Sequence, residues 1–280
     1  MERKIDFTVH EHYIPRVLLR GFSPNYNAQR TEIKKKNLKI WRYDCKAQNS
    51  VLVPEDSVCR EDNLYESTGK DGEFVFRNHI EKKLSAIEMR FECFRTMLEK
   101  KAFNEVNLNT SCFLSKDEKD FWVLYIAHQI LRTPEVIGEA SLLAQSFSDK
   151  ELTKEQAKNL ALLFCTPYYR PMDDGTPEAK TLVNLMIPMR GLDFRVAVSS
   201  NGKFVTSDKA VFVMGNVEKN CLVQYELILF PISAFLCLVL SKRGSGSAVN
   251  RLFRASGLFE RELFQALQMR SNVIFSRNKI

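Results

Sequence analysis

Apolar positions recur every three or four residues in the middle of the chain, which predicts helices there. The stripe of the first helix, predicted over residues 74–101, consists of Ile80, Leu84, Ile87, Phe91, Phe94 and Leu98. Ser115, followed three residues later by Glu118, forms a capping box that predicts a second helix. This helix should end at Thr133, because Pro134 disfavours helical backbone in the residue before it. Its residues are apolar almost all round, which predicts a buried, central position.

Three shorter helices are predicted next, over residues 135–148, 153–164 and 176–186. From Asp193 the apolar period changes to two, which is typical of strands. Segments 194–198 and 203–206 flank Asn201-Gly202, and this arrangement predicts a β-hairpin. The remaining C-terminal elements are two central antiparallel strands over 225–230 and 235–240, a helix over 258–269 and a strand over 272–276.

The N-terminal region begins with a short helix in the sequence His12-Tyr13-Ile14-Pro15-Arg16-Val17-Leu18-Leu19-Arg20-Gly21-Phe22. Pro15 suits the first helical position, and Gly21 is predicted to end the helix in a left-handed conformation. His12 is expected at the N-terminal end of this helix. Arg16 and Arg20, four residues apart, share a face and repel unless they are exposed or share an anion or a carboxylate. Residues 38–44 and 51–53 predict two strands that pair.

The predicted fold class is α+β, with a helical middle packed on a mainly antiparallel sheet built from the C-terminal third. The N-terminal helix is expected at the junction of these two parts. Residues 1–280 are interpreted as a single domain, because one domain of this length can bury a substantial core. Its sub-regions are 1–75, 76–190 and 191–280.

Charge and cysteine content narrow the class of protein. Lys and Arg number 41 against 34 Asp and Glu, so the formal net charge is +7, which permits nucleic-acid or nucleotide partners but equally suits a solvated surface. The seven cysteines show no CxxC pair, as expected for reduced thiols in a cytoplasmic protein. The longest apolar run, 227–240, is shorter than the roughly 20 residues of a membrane span. No membrane association is expected, and the sequence leaves the oligomeric state open.

Polar residues at positions predicted to be buried are the candidates for chemistry, because buried polar groups need partners. They lie in four separate segments. These are His12, Arg16 and Arg20; Glu81 and Glu88; His128, Gln129 and Arg132; and Ser207 with Asp208. Each set also has a structural interpretation, such as rim carboxylates, an ion network or a turn-forming aspartate.

Known catalytic and cofactor-binding motifs are missing from the sequence. It contains no GxxxxGK[ST], no GxGxxG after a strand, no GxSxG and no HExxH. His10-Glu11-His12 offers two histidines on one side of an extended segment, but no second ligand set at fixed spacing accompanies it. We therefore predict no metal site and identify no cofactor.

The order of several segments resembles the domain of unknown function 4238 family, a mainly bacterial group. The segments are His12–Arg16 with Leu19–Phe22, Ile40–Asp44, Glu81 through Glu88, Gln129–Pro134 and Phe204–Asp208. The resemblance covers nearly the whole chain and implies that these segments form the shared site of the family. It implies no reaction, because no activity is attached to the family.

Three hypotheses follow for the function. The first is a metal-independent enzyme acting on a phosphate-containing substrate, such as a nuclease or nucleotide hydrolase in a defence or toxin system. In it the substrate-binding residues are Arg16, Arg20, Gln129, Arg132 and Ser207. His12 is the general acid or base, and Asp208 or Glu88 orients it.

The second hypothesis is a non-catalytic module that binds a nucleotide or RNA through the same residues. The third is that these residues form a buried ion network that only fixes the fold. We predict that His12, Arg16, Gln129, Arg132 and Asp208 converge in one cleft. A deep pocket lined by the candidate residues would favour the first two hypotheses, and a filled, fully paired cluster would favour the third.

Overall fold

The computed structural model describes residues 8–26, 38–75, 77–105, 113–148, 151–166, 177–217, 223–246 and 249–280. The α-helices are α1 Arg16–Arg20, α2 His79–Asn104, α3 Lys116–Leu131, α4 Pro134–Phe147, α5 Lys154–Cys165, α6 Pro177–Arg190 and α7 Gly257–Gln268. The N-terminal strands are β1 His10–His12, β2 Lys39–Asp44, β3 Asn49–Pro54, β4 Arg60–Asp62, β5 Ser67–Thr68 and β6 Phe74–Val75. The C-terminal strands are β7 Asp193–Val198, β8 Thr206–Ser207, β9 Phe212–Val217, β10 Val223–Pro231, β11 Leu236–Ser241, β12 Asn250–Arg254 and β13 Val273–Ser276.

A five-stranded sheet in the order β12-β7-β11-β10-β9 forms the C-terminal part of the core. Only β12 and β7 pair in parallel; the other neighbours are antiparallel. Helix α3 contacts this sheet through Tyr125, whose ring centroid lies 5.9 Å from that of Phe230. Trp122 of the same helix is also fully buried. The predicted α+β class, the buried position of α3 and the central antiparallel strands are therefore confirmed.

A second sheet joins the two ends of the chain. Its order is β3-β2-β13-β8, and all its neighbours are antiparallel. The pairing of β2 with β3 agrees with the sequence, but β13 between β2 and β8 was not predicted. The predicted hairpin over 194–198 and 203–206 is wrong, because β7 and β8 belong to different sheets. The turn at Asn201-Gly202 exists, with φ +63° at Gly202, but it directs the chain from one sheet to the other.

Short sequence patterns predicted the starts of two helices correctly. Ser115 with Glu118 and Thr153 with Gln156 both form complete capping boxes, at the starts of α3 and α5. Helix α2, however, begins at His79 and not at Phe74. Phe74–Val75 instead pairs with β5, so the predicted start of this helix is wrong because a strand contact outcompetes the helical pattern.

The N-terminal prediction needs two corrections. His12 is the last residue of strand β1, which pairs with β4, and does not begin a helix. Gly21 follows α1 with φ −61°, so it is not a left-handed stop. Its lack of a side chain serves close packing, because a Cβ at Gly21 would lie 3.0 Å from the Ile232 carbonyl oxygen and 3.1 Å from a guanidinium nitrogen of Arg95.

No helix within the described ranges combines the length and apolar character that a membrane span requires. The cysteines at described positions are free thiols: Cys45, Cys59, Cys93, Cys165 and Cys237. Buried residues of all three predicted sub-regions meet in one hydrophobic cluster, which includes Ile14, Phe91, Trp122 and Phe275. The single-domain division itself stays a prediction.

Candidate functional site

Arg132, which follows α3, connects that helix to three other parts of the chain. Its Nε donates to the Tyr65 hydroxyl at 3.1 Å, and its Nη1 donates to Glu88 of α2 at 2.8 Å. Its Nη2 donates to the His12 carbonyl oxygen at 2.6 Å. Burial opposes the charge of Arg132, but Tyr65 and Glu88 outweigh it and raise the pKa of the guanidinium. The guanidinium is buried, and each of its nitrogens has a protein partner.

Glu81, two turns before Glu88 on α2, lies in the same environment. Burial and the nearby Glu88 raise the pKa of Glu81 to about 7, although Arg132 acts in the opposite direction. One oxygen of Glu81 is buried without a hydrogen-bond partner among the described residues. Arg132 is the basic group that faces Glu88, whereas Glu81 forms no salt bridge with the described residues.

Glu11 of β1 and Glu66 form a second group of buried carboxyls, which the sequence analysis did not single out. Glu11 is 0% exposed and accepts a hydrogen bond from the Tyr65 backbone N–H at 2.7 Å. Burial raises the pKa of Glu11 to about 8, and the Tyr65 bond only partly opposes this. The nearby Glu66 acts in the same direction as burial, and the second carboxyl oxygen of Glu11 is buried without a hydrogen-bond partner among the described residues.

Arg16 and Arg20 share one buried carboxylate. Both donate to the same oxygen of Glu55, each at 3.1 Å. The Glu55 side chain is 2% exposed, and that of Arg16 is 39% exposed. The repulsion expected between the two arginines is thus offset by Glu55, and the guanidinium of Arg16 is fixed while part of it still faces solvent.

His12 is half-buried beside this pair. Its Nε2 lies 3.2 Å from the backbone oxygen of Asp56, and because a carbonyl only accepts, Nε2 is the nitrogen that carries the proton. Nδ1 of the neutral ring therefore keeps its lone pair. Burial lowers the pKa of His12 to about 4, and three neighbouring arginines act in the same direction. These are Arg16, Arg60 and Arg132.

Arg60 is the cross-strand neighbour of His12 in the β1–β4 pair and is exposed. Within the described ranges no carboxylate forms a salt bridge with it. Its position next to His12 could not be predicted, because the residues around Arg60 carry no strand pattern.

Ser207 and Asp208 occupy a different environment at the end of β8. Ser207 is fully buried, and its hydroxyl donates to the Lys209 carbonyl and accepts from Ser271. Asp208 accepts from the Asn272 backbone N–H at 3.3 Å, and burial raises the pKa of its carboxyl despite that bond.

Asp208 acts electrostatically on Tyr13 and Cys59 and is not among the groups that perturb His12. Asp208 was expected to orient His12, but no contact between Asp208 and His12 is found among the described residues.

Gln129 lies inside α3 and is 2% exposed. Neither its amide oxygen nor its amide nitrogen has a hydrogen-bond partner among the described residues. His128, beside it, is also buried, and burial lowers its pKa to about 3, with Arg132 acting in the same direction.

The structure thus brings together only part of the set predicted to converge. Arg132 donates a hydrogen bond to the His12 carbonyl oxygen, and the charges of Arg16 and Arg132 both lower the pKa of His12. Both arginines therefore lie near His12. Glu88 joins this group through Arg132, and Arg20 joins it through Glu55. No described contact links Gln129 or the Ser207-Asp208 pair to His12.

Several residues that complete the site were missed by sequence reasoning. They are Glu11, Glu55, Tyr65, Glu66 and Arg60. Only Glu55 left a signal, since Arg16 and Arg20 at helical spacing call for an anion. Within the described ranges, no group of three or more His, Cys, Asp or Glu side chains is arranged to hold a metal ion.

A comparison with protein-family models matches residues 10–252 to a family described as a protein of unknown function, DUF4238. No curated protein and no solved structure shows significant similarity to the chain.

Proposed function

We propose that this chain, which belongs to the DUF4238 family, is a metal-independent enzyme. Its substrate contains phosphate, as the substrate of a nuclease or nucleotide hydrolase does. The site we propose is formed by His12, Arg16 and Arg60. One observation carries the proposal: a neutral imidazole, whose Nδ1 has no hydrogen-bond partner among the described residues, lies near two arginines that face solvent at least in part, Arg16 and Arg60.

Arginine is suited to the substrate class, because its planar guanidinium binds phosphate oxygens in a bidentate manner. Glu55 holds Arg16 through a bond to one of its nitrogens, which reduces the side-chain entropy that the arginine loses when it binds. Arg60 provides a second positive charge across the strand pair. Together they supply the charge stabilisation that phosphoryl transfer requires.

His12 is proposed as the general base and then the general acid. Nδ1 removes a proton from the attacking water as its oxygen bonds to phosphorus, and the same proton passes to the leaving oxygen as the phosphorus–oxygen bond breaks. A pKa near 4 makes His12 a weak base in the unliganded protein. A bound phosphate offsets the charge of the arginines and raises this pKa towards neutrality.

Arg20, Arg132 and Glu88 take positioning roles in this proposal. Arg132 bonds to the backbone carbonyl of His12 and is fixed by Glu88. Arg20 bonds to Glu55, which also holds Arg16. The sequence-based roles of Gln129, Ser207 and Asp208 are not part of the proposed site, because they share no described contact with His12.

The test incubates the purified protein with RNA, DNA and mononucleotides, with and without EDTA. We expect turnover that persists in EDTA and falls about 100-fold or more in His12→Gln, the loss typical of a removed acid–base group. Glutamine can still donate to the Asp56 carbonyl, so the local fold is retained. The matched control is His10→Gln, since His10 is an exposed histidine on the same strand.

Turnover that is absent for every substrate, or that is equal in His12→Gln and His10→Gln, would overturn the proposal. The alternative is the third hypothesis, a structural ion network. The saturated, buried guanidinium of Arg132 favours it, because such a group is fully committed to the fold. Under that alternative, Arg132→Ala unfolds easily while Arg60→Gln has no effect on any measured property.

A further inference from the structure

A second basic site lies next to the C-terminal end of strand β13. A cavity of about 400 Å³ opens between the turn at residues 202–205, the first turns of α7 and the segment that follows β13. Four of its lining side chains are cationic: Lys203, Arg261, Arg277 and Lys279. We call these residues and the cavity between them the C-terminal basic cleft.

The positive charge of the cleft is not neutralised by salt bridges. Within the described ranges, no carboxylate lies within 4.0 Å of a charged nitrogen of Lys203, Arg261 or Lys279. Arg277 is oriented by uncharged partners, since it donates to the Tyr26 carbonyl at 2.6 Å and stacks over the Phe235 ring at 5.0 Å. Among the described residues, no further hydrogen bond engages this guanidinium.

Glu260 is the acidic side chain that lines the cavity, and it already has a partner. It accepts a hydrogen bond from the Ser199 hydroxyl at 2.6 Å. The same hydroxyl accepts from the Lys203 backbone N–H at 3.0 Å. This pair of bonds ties the turn that carries Lys203 to the first turn of α7, so two walls of the cleft are held at a fixed separation.

The start of α7 adds to the positive potential. Gly257 lines the cavity and is the first residue of this 12-residue helix. The first N–H groups of a helix have no partner within it, and the helix dipole places partial positive charge there. Ser256 caps the N–H of Phe259.

We propose that the C-terminal basic cleft binds a small molecule that carries a phosphate monoester or a diphosphate. Converging lysine and arginine side chains match the multiple negative charges of such a group, whereas a single carboxylate would engage only one or two of them. The cavity volume is within the range of pockets that hold small ligands. The proposal does not depend on the function proposed for His12.

The test measures binding of pyrophosphate and of adenosine 5′-monophosphate to the full chain by isothermal titration calorimetry. We expect binding that weakens about tenfold or more in Lys203→Gln/Arg261→Gln, because two cationic partners are lost. The control is Lys82→Gln/Lys83→Gln, which removes the same net charge from two exposed lysines of α2. That variant should bind as the wild type does.

Four results would overturn the proposal. The first is no binding of either probe, and the second is an equal loss in the two double variants, which would indicate only long-range attraction. The third is binding of a single-stranded oligonucleotide without binding of the small probes, which would favour an extended polyanion. The fourth is binding that is unchanged in Lys203→Gln/Arg261→Gln, which would assign the ligand to another site, such as His12 and its neighbours.

Discussion

The buried carboxyl of Glu11 makes the stability of the protein dependent on pH in a way that one substitution can isolate. The pKa of Glu11 rises from its ordinary 4.5 to about 8 in the folded chain, because burial disfavours the charged form. Glu66 and Glu81 act in the same direction by their charge. Lys158, from α5, is a cation near Glu11, and burial lowers its own pKa.

The sign of the effect follows from proton binding. The folded state holds the proton of Glu11 more tightly than the unfolded state does, so the stabilisation is complete below about pH 4.5 and is lost as the pH rises through about 8. A difference of one in pKa corresponds to about 1.4 kcal/mol. The free energy of unfolding should therefore fall by at most ~5 kcal/mol, through this group alone, as the pH rises from below 4.5 to above 8.

Glu11→Gln should remove this dependence. The glutamine oxygen can accept from the Tyr65 N–H, and its amide has nearly the same shape as the carboxyl but carries no proton that titrates in this range. Relative to the wild type, the variant should therefore become more stable as the pH rises from about 5 to about 9, by a few kcal/mol. The assay is urea unfolding followed by circular dichroism at several pH values.

Glu61→Gln is the matched control, since Glu61 is exposed and lies directly opposite Glu11 in the β1–β4 pair. Its stability difference from the wild type should be the same at each pH. If Glu11→Gln also keeps a constant difference across this range, the carboxyl of Glu11 does not hold a proton in the fold, and the reasoning is refuted.

Three further predictions concern an ion pair, packing and capping. Arg132→Ala should lower the free energy of unfolding by roughly 3–5 kcal/mol in urea titrations, because the partly buried Glu88 loses its cation and the Tyr65 hydroxyl and His12 carbonyl lose a buried donor; a loss under about 1 kcal/mol would contradict this. Gly21→Ala should cost about 1–3 kcal/mol, because its Cβ would press on neighbouring backbone. Gly138→Ala, in α4 with open space around it, should stabilise by about 0.5–1 kcal/mol and serves as the control. Ser115→Ala should lower the melting temperature by removing the cap of α3, a loss of about 1 kcal/mol; an unchanged melting temperature would argue against the cap.

The sequence by itself determined the features that short segments encode. The capping boxes at Ser115 and Thr153 act within one helical turn, and both helices begin where those residues predict. The nearly continuous apolar character of α3 identified it as buried, and its polar residue Arg132 was correctly expected to need partners. These features rest on hydrogen bonds and burial patterns between residues close in sequence.

Only the tertiary structure decided which distant segments meet. Strand β13 pairs with β2 and β8, and this pairing separates β8 from β7 although a hairpin turn lies between them. Likewise Glu55 reaches Arg16, and Arg60 lies opposite His12, through contacts that no local pattern records. The physical reason is that local periodicity fixes which face of an element is apolar, while packing of the whole chain selects the partner that covers it.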